Sequence, residues 1–101
     1  TMNIENFYQA LDNFFMENKI DKAELFLKDT LSEAEAAEDF GLIIAACNEL
    51  GGLYRVLSRY DEGMPLYEKA LKRMQRYGYI LERFISPEGY FPYIILSSDG
   101  T

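Results

Sequence analysis

Apolar side chains recur along this chain at the spacing of helix faces, interrupted by three short polar breaks. Ile4, Phe7, Leu11 and Phe14 lie three or four residues apart, with Tyr8 and Phe15 beside them, which predicts a helix over residues 4–16. Asn3 stands where an N-cap side chain accepts a backbone N–H, and Asn18-Lys19 ends the pattern. Asp21 restarts it, with Glu24 three residues later in capping-box spacing. Ala23, Leu25, Phe26, Leu27 and Leu31 carry this second helix into the alanine-rich residues 32–38. Asp39 is the expected cap of a third helix bearing Leu42, Ile43, Cys47, Leu50, Tyr54 and Leu57. Ser58, Arg59, Tyr60 and Asp61 read as a turn, with Asp61 capping a fourth helix. Pro65 is expected in that helix's first turn, where a missing N–H costs least. Leu66, Tyr67, Ala70, Leu71 and Met74 continue the helix toward Arg83. The predicted fold is all-α, with four helices in two antiparallel pairs.

The two pairs repeat. Leu50, Gly51 and Tyr54, then Tyr60 and Gly63, then Tyr67 and Ala70 mark a unit over residues 44–77. Gly51, Gly63 and Ala70 are small where helices approach closely, and the tyrosines fill the wider gaps. These seven positions resemble the signature of tetratricopeptide repeats in residue type and spacing. Over residues 4–37, Phe7, Phe14, Ile20, Ala23 and Leu27 take the equivalent places. Leu11 stands for the glycine and Thr30 for the alanine, so the first hairpin is expected to be more splayed. The units are offset by 40 residues, from Ile4 to Ile44, against ~34 for a typical repeat. The extra residues fall around 34–39, as in kinesin-light-chain-like members, which the units also resemble.

That resemblance implies a right-handed superhelical stack of helix hairpins over residues 2–85. Its first helices would line a concave groove, and its function would be to bind another protein or peptide. Carried onto this chain, one groove stripe is Tyr8, Asp12, Phe15 and Lys19, and the other Asn48, Gly52, Arg55 and Arg59. Each follows i, i+4, i+7, i+11 spacing, one face of a helix. Asn48 can hydrogen-bond a peptide backbone that Gly52 lets approach, while Arg55 and Arg59 can pair with an acidic side chain or terminal carboxylate. Simpler roles stay open: Tyr8 and Phe15 as partial core, and both arginines as surface charge. Members that clamp a terminal carboxylate carry lysine and asparagine where Tyr8 and Asp12 stand, so this chain departs from that pattern.

After Arg83 the repeat stops. Pro87, Gly89 and Pro92 would break another first helix. Residues 86–89 read as a turn, and residues 90–97 as an extended segment within a non-repeat tail, 86–101. The tail is free of charge from Tyr90 to Ser98. Its Tyr90, Phe91, Tyr93, Ile94, Ile95 and Leu96 are an aggregation hazard unless buried. It can fold back on the fourth helix as a cap, pair with or swap into a second copy, or be a junction without evolved role. A homodimer built through these six residues is therefore the second function considered.

Composition narrows the chemistry. With 101 residues, 49% hydrophobic and 27% charged, the chain fits one soluble domain. No apolar run reaches the ~20 residues of a membrane span, and no basic stretch precedes an apolar one as in a secretory leader. Thr1, ahead of Met2, is set aside as preceding a native start. Cys47 is the single cysteine, which excludes an internal disulfide, suits a reducing cytoplasm and, at a core position, reads as inert packing. Histidine is absent, which removes the commonest general base and metal ligand. Gly51-Gly52 lies inside a helix, not in a phosphate-binding loop. No enzyme activity, cofactor or metal is expected. A net charge of −7 argues against a nucleic-acid partner. Residues 1–39 hold ten acidic and three basic side chains, whereas residues 40–83 hold five and seven. The acidic pairs Glu33 with Glu35 and Glu38 with Asp39 read as a solvated face.

Overall fold

The computed structural model describes residues 2–76, 80–85 and 92–97, and the side chains of residues 2–73. Four helices come first: α1 Ile4–Met16, α2 Ile20–Ala37, α3 Phe40–Val56 and α4 Tyr60–Arg76. Strands β1 Ile80–Ile85 and β2 Pro92–Ser97 follow and pair antiparallel, Ile80 opposite Ser97 and Ile85 opposite Pro92. Each helix packs on its predecessor, α1 also reaches α3, and both strands lie against α4. The result is four packed helices in a repeat-like order. Among the described residues no helix is long and apolar enough to cross a membrane.

The repeat is clearest where helices end. α2, α3 and α4 begin at Ile20, Phe40 and Tyr60, twenty residues apart. Two residues before each start, the backbone is left-handed: φ is 57° at Asn18, 54° at Glu38 and 60° at Ser58. The same two hydrogen bonds close every turn. The N–H of the left-handed residue donates to a carbonyl three back, at 3.0, 3.2 and 3.1 Å, and the next N–H reaches five back, at 2.8, 2.9 and 2.8 Å. This is the Schellman ending, which satisfies carbonyls that a helix end would otherwise orphan. Two such intervals make the 40-residue repeat seen in the sequence. Glycine takes this conformation without a Cβ penalty, so Glu38→Gly is expected to stabilise the fold by about 1 kcal/mol. A thermal melt by circular dichroism would show a higher midpoint, and an unchanged or lower one would contradict the cap geometry.

Both hairpins bury a continuous core. Phe7 and Leu11 of α1, Ala23, Leu27 and Ala34 of α2, Leu42, Ile43, Ala46, Cys47 and Leu50 of α3, and Tyr67 and Ala70 of α4 are essentially inaccessible. Gly51 marks the tight crossing: a Cβ there would meet the Tyr67 ring at 3.1–3.3 Å. The first hairpin is the looser one, as Leu11 and Thr30 in place of glycine and alanine predict. Aromatics fill its wider gap, with Phe26 stacked on Phe7 at 5.7 Å and tilted on Phe14 at 5.6 Å. Burial pushes the Cys47 thiol up to about 12, so it stays protonated and inert at neutral pH.

Caps decide several local differences from the sequence reading. Asn3 Oδ1 accepts from Asn6 N at 2.8 Å, and Asp39 Oδ1 from Leu42 N at 3.3 Å, as expected. Asp21 does not cap α2: the cap position is Lys19, without a side-chain bond, and the Glu24 carboxylate is taken up elsewhere. α4 starts one residue before Asp61, so Pro65 falls inside it and not in its first turn. α4 also ends at Arg76, short of Arg83, because Gly78 disfavours helix and residues 80–85 form β1. The extended tail is β2 over Pro92–Ser97. Tyr90, Phe91 and the expected 86–89 turn lie outside the described residues.

Candidate peptide-binding groove

Between the ends of α1 and α3 lies an open hollow of about 560 Å³. Phe15 of α1 and Asn48, Gly52 and Arg55 of α3 line it, four of the residues picked from the two stripes. Gly52 sits on its floor, where only the Tyr67 hydroxyl comes near a notional Cβ, at 3.6 Å. A peptide backbone can therefore approach α3 closely at this point. Tyr8 and Phe15 are neither core nor fully free, at 37% and 38% exposure.

Lining residues that the stripes missed are Ile20, Glu49, Leu53, Val56, Leu57 and Tyr67. Glu49, Leu53 and Val56 share one helix face by their i, i+4, i+7 spacing, one residue over from the chosen stripe. A groove wall takes a broad arc of helix, so a single stripe underestimates it. Val56 is 74% exposed although apolar, the kind of signal that hydropathy with a known helix end provides.

Two expected groove residues go elsewhere. Lys19 and Arg59 follow the left-handed residues Asn18 and Ser58, so the chain has left the helix and i+11 spacing no longer applies. Lys19 pairs with Glu17 at 2.6 Å. Arg59 turns to the other side of the molecule, where its guanidinium meets the Glu24 carboxylate with two bonds of 3.0 Å. It also meets Glu62 at 2.7 and 2.8 Å and lies over the Tyr54 ring at 4.4 Å. Tyr54 Oη donates to Glu24 at 2.6 Å, and Lys28 pairs with it at 3.3 Å. The Arg59 guanidinium, then the Tyr54 hydroxyl, hold the Glu24 carboxyl down to about 2. This clasp ties α2 of the first hairpin to the second. Lys69 with Glu35, and Arg73 over the Phe40 ring at 5.6 Å, tie further points of the array. Arg59 is thus a structural cation, and the acid-pairing role expected of it is corrected.

A second hollow of about 580 Å³, between α2 and α4, is lined by Lys28, Glu35, Glu62 and Lys69 among others. Each of these charges is already paired with a charge of this chain. The α1–α3 groove has Glu49 and Arg55 as the charged side chains of its lining. Glu49 lines it half-buried, with its pKa raised first by burial and then by Asp12. Glu49 in turn adds to the burial that raises Tyr8. Tyr8 and Asp12, expected in the groove, are not among the residues that line this hollow. Among protein-family models, curated proteins and solved structures, none matches this chain.

Proposed function

We propose that this chain is a protein-interaction module of the tetratricopeptide kind, with two long kinesin-light-chain-like repeats. It takes a peptide or helix of a partner protein in the α1–α3 groove. The observation that supports this is convergence: Phe15, Asn48, Gly52 and Arg55, chosen from two separate stripes, surround one hollow. The reading is binding without catalysis, in keeping with a chain that has no histidine and whose cysteine is buried. Peptides selected on the full chain from a displayed random library, titrated against Asn48→Ala and Arg55→Ala, test it. Each change is expected to weaken binding about fivefold to tenfold. If neither alters affinity, the groove is not the site.

Self-association is a second reading, favoured by the strand pair. A two-stranded sheet is marginal alone, and β2 contains no charged residue to deter pairing of its edge with a second copy. Static light scattering of the full chain and of Ile94→Lys separates the two readings. A monomer in both removes the dimer.

A further inference from the structure

The strand pair ends in an edge that can take one more strand. Among the described residues the sheet has only β1 and β2, so each strand keeps one open edge. The two edges are not alike. β1 holds the adjacent charges Glu82 and Arg83, of the kind that guards an edge against further pairing. β2, from Pro92 to Ser97, holds no charge and is a ready template for another strand.

Pro92 decides which backbone groups face that edge. It has no N–H, and a proline in a strand is tolerated where its nitrogen points away from the neighbouring strand. Pro92 stands opposite Ile85, so those two form a pair without ladder hydrogen bonds. Bonded and non-bonded pairs alternate along an antiparallel ladder. Tyr93, Ile95 and Ser97 therefore bond to β1, opposite Phe84, Glu82 and Ile80. Ile94 and Leu96 turn their N–H and C=O groups to the open edge.

We propose, on the footing of the self-association reading, that two copies pair β2 with β2, antiparallel about a two-fold axis at Ile95. The product is one continuous sheet across the dimer. Such an axis passes through a residue pair, because symmetry maps each bonded pair onto another bonded pair. Two registers overlap most of the strand. Centred on Ile94, Pro92 falls opposite Leu96, and the Leu96 carbonyl of each copy loses its donor. Centred on Ile95, Ile94 of each copy faces Leu96 of the other, and every outward N–H and carbonyl of these residues is paired. Ile95 then lies opposite itself in a non-bonded pair, where Cα atoms are about 4.5 Å apart.

Cysteine cross-linking of the full chain tests the register, and static light scattering tests the dimer beneath it. Light scattering of the wild type should give twice the mass of one chain. Ile95→Cys, treated with oxidised glutathione, should form a covalent dimer on a non-reducing gel, since that Cα separation suits a disulfide. Ile94→Cys should cross-link about tenfold more slowly, because the two copies of residue 94 are offset by two positions and lie about 8 Å apart. The wild type is the control, its Cys47 being buried. Circular dichroism verifies that both variants keep the helices. A wild-type monomer would remove the self-association reading and the register with it. A wild-type dimer in which Ile94→Cys cross-links faster, or in which neither variant cross-links, would overturn the register while leaving self-association standing.

Discussion

Glu24→Gln is expected to lower the stability of the fold by about 2–4 kcal/mol, the largest effect of any single polar change outside the core. The substitution keeps shape and volume but removes the charge that Arg59, Tyr54 and Lys28 converge on. The Glu24 side chain is 15% exposed, so its pairs are screened less than those of fully exposed groups, with the half-exposed Lys28 contributing least. Arg59 would keep Glu62, but the first hairpin would lose its main polar tie to the second. At this chain length, the loss corresponds to a fall in melting midpoint of roughly 10–20 °C. The sign with pH follows from the lowered pKa. The folded carboxyl titrates near 2 instead of its ordinary 4.5, so its contribution is complete above about pH 5 and disappears as pH falls toward 2. Wild type should lose stability across that window, and Glu24→Gln should lack this part of the acid dependence. Glu49→Gln makes the opposite control. Its carboxyl is raised by burial and by Asp12, so neutralising it at pH 7 should not destabilise. Equal losses in the two variants would contradict the division of labour between clasp and groove.

Gly51→Val carries the second large expectation, a loss of about 2–3 kcal/mol. At Gly51 the first added carbon already lies 3.1 Å from the Tyr67 ring, closer than ordinary contact, and valine adds two more against a buried tyrosine. Tyr67 belongs to the core between α3 and α4, so its displacement would loosen the tighter hairpin. Gly52 is the comparison, since the nearest side-chain atom to its notional Cβ is 3.6 Å away. Gly52→Ala should therefore stabilise by about 0.5–1 kcal/mol, through helix propensity. It should also weaken peptide binding, because the methyl group occupies the groove floor. Chemical denaturation of both variants measures the stabilities. Adjacent glycines would then show opposite signs, one serving the packing of the fold and the other the groove.

The helices and their core were legible because each face repeats with a regular period. Phe7, Leu11, Leu27, Cys47 and Tyr67 are buried as the 3.6-residue pattern requires. Gly51 was legible as a close crossing because no larger residue fits there. The helix ends were less so. Glu38 and Ser58 adopt a left-handed backbone that glycine usually marks, and neither advertises it in the sequence. At Ser58 this placed Arg59 in the groove, whereas Lys19 lies past Asn18, where the apolar pattern already ends, so i+11 spacing does not reach it. Glu24 was misread for a related reason. Its spacing from Asp21 satisfies a local cap, but Arg59 and Tyr54, 35 and 30 residues away, offer a stronger partnership. Long-range polar pairs of this kind leave no periodic trace. The groove was half legible, since the stripes gave Phe15, Asn48, Gly52 and Arg55 but not the neighbouring arc of Glu49, Leu53 and Val56.

The most direct measurement of the central claim is a two-dimensional amide NMR titration of the full chain with a peptide selected on it. Shifts concentrated at Phe15, Asn48, Glu49, Gly52 and Arg55, with Glu24, Arg59 and Lys69 unmoved, are the predicted result. Shifts confined to the α2–α4 side, or to residues 80–97, would contradict it.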